Sequence, residues 1–130
     1  MIYGIYFSPT NNSKKYVEAM CHKLDENATF IDITVNSAKN EFNTDDFVII
    51  GAPVYGGRIP NVCRQRFKQF KGSNTPCIIV ATYGNRHYDD ALVEMKDLFE
   101  TNGFIVHGAC ALIGRHTYGS IAIYRPNSND

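Results

Sequence analysis

Five apolar runs alternate along this chain with amphipathic stretches, and no other feature narrows the possible folds as far. The runs cover residues 1–7, 29–34, 47–51, 77–82 and 104–113. They are rich in Ile, Val, Phe and Tyr, and each is the length of one strand. Strands that are apolar throughout need cover on both faces of their sheet, the mark of parallel pairing with helical crossovers. Residues 13–24 supply such a helix, with Tyr16, Val17, Met20 and Leu24 at helical spacing and Asn12 or Ser13 as its N-cap. Residues 61–70 place Val62, Arg66, Phe67 and Phe70 on a second helix, with Gly72 as its stop. Residues 89–101 carry Ala91, Leu92, Met95, Leu98 and Phe99 on a third, stopped by Gly103. Residues 36–42 are polar and read as a loop or a weak helix.

The order β-α-β-(α)-β-α-β-α-β predicts an α/β domain: a doubly wound five-stranded parallel sheet in three α/β/α layers. The 130 residues suit one such domain, spanning 1–130, and the 44% hydrophobic content can build its core. A domain of this kind wants a helix after its fifth strand. Pro126 and Ser128 read as a helix start with no helix behind them. The last helix therefore reads as missing, through loss or because the chain is a fragment of something longer.

Charge and cysteine usage exclude several classes. Thirteen basic residues balance thirteen acidic ones, so no strong field draws the domain to nucleic acid or an anionic membrane. No run of about 18 apolar residues offers a membrane span. The first run is short and has no basic leader, so it reads as a strand and not a signal peptide. Cys21, Cys63, Cys77 and Cys110 form no CxxC unit and read as reduced thiols of a cytoplasmic protein. His22, His87, His107 and His116 do not cluster, so no metal site is expected. The first strand ends at Phe7-Ser8 without the acidic cluster of a phosphorylation receiver.

In an open α/β sheet, ligands bind beyond the carboxyl ends of the strands, at the topological switch point. Three loops leave those ends. The first holds Ser8, Thr10, Asn11, Asn12 and Ser13 around Pro9, contains no acid, and opens a helix ahead of Lys14 and Lys15. Backbone N–H groups at a helix start attract anions, and hydroxyls add donors, so a phosphate monoester suits this loop. One cap needs one such residue, and this loop has five. Walker A spacing (GxxxxGKS/T) is absent, and so is a GxGxxG dinucleotide loop, since no glycine is present. The second loop carries Pro53, Val54, Tyr55, Gly56 and Gly57, then Arg58-Ile59-Pro60. Its glycines permit close backbone approach, and Tyr55 offers a stacking face. The third carries Tyr83, Gly84, Asn85, Arg86, His87 and Tyr88. Two Tyr-Gly loops on neighbouring strand ends can hold a planar ligand between them.

At these residues the chain resembles the flavodoxin family. FSPTNNS resembles the family's phosphate loop, usually written T/S-x-T-G-N-T, with Asn11 where glycine is usual. GAPVYGGRIP and ATYGNRHYDDAL resemble the two flavin-flanking loops. The likeness spans nearly the whole chain and looks closest to the flavodoxin half of flavodoxin–ferredoxin fusion proteins, where IGRHTYGSIAIYRPNSND also has a counterpart ahead of a last helix.

The resemblance implies a flavodoxin-like fold and one FMN held non-covalently. It implies that Ser8, Thr10, Asn11, Asn12 and Ser13 bind the phosphate. Pro53, Val54, Tyr55, Gly56 and Gly57 would line one side of the ring, with a carbonyl of Gly56 or Gly57 near flavin N5. Tyr83, Gly84, Asn85, Arg86 and Tyr88 would line the other. No residue is catalytic on this reading, and the domain carries electrons between redox proteins such as a ferredoxin module or an oxidoreductase, as a monomer or weak dimer. The alternatives are an FMN-dependent NAD(P)H:quinone or flavin reductase, and a flavin-free docking module on the same fold.

Overall fold

A computed structural model describes residues 1–8, 12–34, 41–54, 58–83, 89–113 and 121–124. The strands are β1 (Ile2–Tyr6), β2 (Thr29–Asp32), β3 (Phe47–Val54), β4 (Thr75–Tyr83), β5 (Phe104–Ile113) and β6 (Ile121–Tyr124). The helices are α1 (Asn12–Leu24), α2 (Asn61–Phe67) and α3 (Asp89–Thr101). All strands join one sheet in the order β2-β1-β3-β4-β5-β6. The first five run parallel, as the alternation predicts, and β6 pairs antiparallel with β5.

β6 is an element the sequence reading did not contain. Its Ile-Ala-Ile-Tyr run is four residues long, too short for periodicity to register. Paired with β5 from Ala109 to Leu112, it follows the fifth strand in the chain. The weak-helix reading of residues 36–42 falls mostly outside the described residues. Its last residue, Phe42, is 4% exposed and fills the core, and its N–H is bonded to the Lys71 carbonyl.

Two cores sandwich the sheet. On one face, α2 and α3 bring Cys63, Phe67, Ala91, Leu92, Met95 and Phe99 against Ile5, Ile50 and Ile79. Phe99 meets Phe104 edge-on at 5.3 Å and Phe67 at 5.0 Å, the offset arrangement that ring quadrupoles favour. On the other face α1 is the one helix among the described residues and packs over β1, β3 and β4, with Val17 and Cys21 on Tyr6, Ile49 and Val80. Two glycines let it come close. A Cβ on Gly4 would lie 2.8 Å from Val17 Cγ1, and one on Gly51 would lie 2.5 Å from Val17 Cγ2. Val17 is thus seated in a notch that two adjacent strands leave open.

Several boundaries differ from the expectation. β3 runs on to Val54 and β4 to Tyr83, so Pro53, Val54 and Tyr83 are strand residues and not loop residues. Parallel partners hold them there, pairing Pro53 with Thr82 and Val54 with Tyr83. α2 ends at Phe67 rather than 70, although Phe70 remains fully buried. Cys63 and Phe67 face the core, which turns Val62, one residue away, out to solvent at 45% exposure. Leu24, expected on the apolar stripe, ends α1 and is exposed. Gly72 is not the stop of α2: Lys68 caps that helix, and Gly72 packs on Gly103 and donates its N–H to the Asn102 carbonyl at 2.8 Å. Gly103 does follow α3 as expected, at φ 97°.

Candidate functional site

The sheet order places the switch point between β1 and β3. From β1 the chain passes outward to β2, then crosses back to β3 on the opposite side. α1 begins at Asn12, beyond the carboxyl end of β1 and beside Gly51 of β3. Its first turn carries no acid and holds Lys14, with Lys15 following. The helix start is therefore an electropositive end facing the crevice where the two halves of the sheet diverge.

Hydroxyls hold that end in place. The Phe7 N–H bonds the Gly51 carbonyl at 3.1 Å, continuing the β1–β3 ladder into the exit from β1. Ser8 then donates its N–H to Thr34 Oγ1 at 2.7 Å, and its own Oγ accepts the Lys14 N–H at 2.9 Å. Ser8 thus supplies a side-chain cap to the first turn of α1, while the side chain of Asn12, the other expected cap, lies outside the described residues. Ser13 Oγ instead pairs with Thr82 Oγ1 at 2.8 Å, both residues being almost fully buried. That bond joins the first turn of α1 to β4. A hydroxyl accepts and donates at once, so Ser8 can cap the helix with a lone pair and aim its proton at a phosphate oxygen.

Of the sequence-predicted residues, the structure brings Ser8, Ser13, Pro53, Val54 and Tyr83 to the carboxyl ends of β1, β3 and β4. Pro53 and Val54 are buried, and Tyr83 is half-buried against the α2–α3 core. Asn12 opens α1. Thr10, Asn11, Tyr55, Gly56, Gly57, Gly84, Asn85, Arg86 and Tyr88 lie outside the described residues.

Four further residues shape the site and were not singled out for it. Thr34 Oγ1 accepts the Ser8 N–H, and Thr82 Oγ1 shares a hydrogen bond with Ser13 Oγ. Their signal was a threonine closing or following an otherwise apolar strand. Arg66, on α2, reaches the carbonyls of Ile33 and Thr34 with one guanidinium nitrogen. Glu94, on α3, accepts from Arg58 at 3.3 Å, from Arg64, and from the Ile59 N–H at 3.4 Å. Arg64 also donates to Asn61 at 2.7 Å. This carboxylate ties the chain just beyond segment 55–57 to the helix that follows segment 84–88. No spacing rule finds such a pair, because 36 residues separate Arg58 from Glu94.

The buried thiols and Tyr6 are held toward their neutral forms. Burial pushes the thiol of Cys21 up to about 11 and that of Cys77 to about 12, with nearby carboxylates adding to the shift. Burial likewise raises Cys63, helped by Glu94. Tyr6 is raised by burial first, then by the charges of Asp32 and Glu18. Among the described residues no three His, Cys, Asp or Glu side chains group as a metal site. Among them, too, no helix is long and apolar enough to cross a membrane.

Comparison with known proteins agrees with this layout. No curated protein matches the chain significantly. Among solved structures, the crystal structure of a "putative flavoprotein" from Bacteroides eggerthii superposes with a TM-score of 0.61 at 13% identity, over 89% of each chain. That likeness is one of fold. A family model for the flavodoxin domain matches residues 4–103, which runs from within β1 to just past α3 and takes in every described residue of the switch-point crevice. The chain belongs to the flavodoxin domain family.

Proposed function

We propose that this domain binds one FMN non-covalently at the switch point and carries electrons between redox partner proteins. The observation that supports it most is the start of α1. It is an acid-free, lysine-bearing helix end locked against β1, β2 and β4 by Ser8, Thr34, Ser13 and Thr82, within a flavodoxin domain. The donor set fits a phosphate dianion: backbone N–H groups, hydroxyls and two lysines, with no carboxylate in the first turn. The neighbouring fold is also that of a protein described as a flavoprotein.

On this proposal Ser8, Thr10, Asn11, Asn12 and Ser13 bind the phosphate. Ser13 does so through its backbone, since its hydroxyl engages Thr82. Segments 53–57 and 83–88 flank the ring from the ends of β3 and β4. FMN supplies the electron chemistry when bound. The protein supplies binding, an apolar wall from Pro53, Val54 and Tyr83, and a tie from Glu94 to Arg58 and Ile59 just beyond segment 53–57. The partners are redox proteins, for instance a ferredoxin module or an oxidoreductase, and the compartment is the cytoplasm.

The test is the visible spectrum of the purified protein with FMN, followed through slow dithionite addition. Flavin bands that shift on binding and then bleach in two resolved one-electron steps support the carrier. Bleaching in one two-electron step, and rapidly by NADPH alone, transfers the assignment to a reductase. Failure to bind FMN removes the function and leaves a docking module on the same fold.

A further inference from the structure

The exits of β1 and β2 are fastened together by a residue that belongs to neither strand. Arg66 projects from α2 and donates through Nη1 to the carbonyls of Ile33 and Thr34, the latter at 2.6 Å. Its guanidinium also lies 5.9 Å from the centroid of the Phe7 ring. Phe7 is the residue before Ser8, and Thr34 is the residue whose hydroxyl takes the Ser8 N–H at 2.7 Å. Ser8 in turn caps α1 through Lys14 at 2.9 Å. A continuous chain of contacts therefore runs from α2, through Thr34 and Ser8, to the first turn of α1. The two carbonyls that Arg66 binds lie in a tight turn, where the Thr34 N–H bonds Asp32 Oδ1 at 2.8 Å. Without the guanidinium, nothing described in that turn replaces its donor to the Thr34 carbonyl.

We infer that Arg66 is a positioning residue for the phosphate end of the proposed FMN site: it fixes Thr34, and Thr34 fixes Ser8 and the start of α1. The inference rests on the FMN reading above. It makes a distinction that general stabilisation does not. Riboflavin has the ring of FMN and lacks its phosphate. A residue that acts through the α1 start changes FMN binding and spares riboflavin, whereas one that merely supports the fold weakens both.

The experiment measures the dissociation constants of FMN and riboflavin by quenching of flavin fluorescence. It uses the wild-type chain and the Arg66→Ala, Arg66→Lys and Thr34→Val variants. Arg66→Ala is expected to weaken FMN about tenfold, equivalent to about 1.4 kcal/mol, while riboflavin changes less than about threefold. Thr34→Val, which removes only the acceptor for Ser8, is expected to show the same selective loss. Arg66→Lys keeps the charge but has a shorter reach to the two carbonyls and no planar group for the Phe7 ring, and is expected to recover only part of the preference. Three results overturn the inference while FMN binding itself stands: equal weakening of both flavins, no effect of Arg66→Ala, or full recovery by Arg66→Lys, which would make charge alone the cause. A wild-type chain that binds neither flavin overturns the FMN reading and this inference with it.

Discussion

Replacing Gly51 with alanine tests whether the start of α1 is set by its close seat on β3. The added Cβ would sit 2.5 Å from Val17 Cγ2, whereas carbon atoms in contact rest at about 3.5–4.0 Å. The overlap is therefore at least about 1 Å. Val17 cannot turn aside readily, because a β-branched side chain in a helix has one strongly preferred rotamer. The helix must lift. Overpacking of this kind costs about 1–3 kcal/mol. A rise of that size also carries Ser13 out of reach of Thr82, now 2.8 Å away, and leaves a buried hydroxyl unpaired at a further cost of about 1–3 kcal/mol. The sum, roughly 2–6 kcal/mol, is a large part of an ordinary domain's stability. It lowers Tm by roughly 10 °C. Urea denaturation of Gly51→Ala, Val17→Ala and the double variant measures it. Val17→Ala alone is expected to cost about 2 kcal/mol. In the Gly51→Ala background it is expected to cost at least about 1 kcal/mol less, because the new Cβ fills the space that Val17 vacates. A Gly51→Ala protein within about 0.5 kcal/mol of wild type, or strict additivity in the double variant, refutes the reasoning.

Four further outcomes are expected. Glu94→Gln should cost about 1–2 kcal/mol and weaken the salt dependence of stability, since Glu94 is 14% exposed and holds the 29%-exposed Arg64. Arg58→Ala should cost under about 0.5 kcal/mol, because Arg58 is 65% exposed; equal losses from Arg58→Ala and Arg64→Ala in urea denaturation would contradict this. Gly103→Ala should cost about 2 kcal/mol or more by thermal unfolding, because φ is 97° there and the new Cβ would collide with the Gly72 carbonyl oxygen. The buried thiols give an alkaline limb. Cys21 and Cys77 have folded values of about 11 and about 12 against an ordinary 9.0, so their stabilisation is full below about pH 9. It is lost as pH rises through the folded values. Urea midpoints should fall above about pH 9, and Cys77→Ala should flatten that fall; an unchanged slope would show that Cys77 does not titrate on unfolding.

The α/β architecture was legible because it follows from patterns a linear chain displays. Apolar runs of strand length, helical spacing between them and the order of both leave few topologies once crossovers must be right-handed and both faces covered. The carboxyl ends of β1, β3 and β4 were legible to within a few residues, although β3 runs on through Pro53 to Val54 and β4 to Tyr83. The side-chain partners at the site were not legible. Ser8 and Ser13 read as phosphate donors, and nothing local indicated that Thr34 and Thr82 would take their bonds from 26 and 69 residues away. Arg66 read only as a residue of the second helix, yet it binds the carbonyls at the exit of β2; Val62 read as a residue of the same helix and is exposed. The sequence by itself determined the five parallel strands, the three helices and their order, since those follow from propensity and burial along the chain, but not β6 or the ends of β3, β4 and α2. Only the tertiary structure decided which distant groups meet, that β6 closes one edge, and that Glu94 and Arg66 brace the site from α3 and α2. Those contacts depend on how helices are seated on the sheet, and here two glycines under Val17 set that distance for α1.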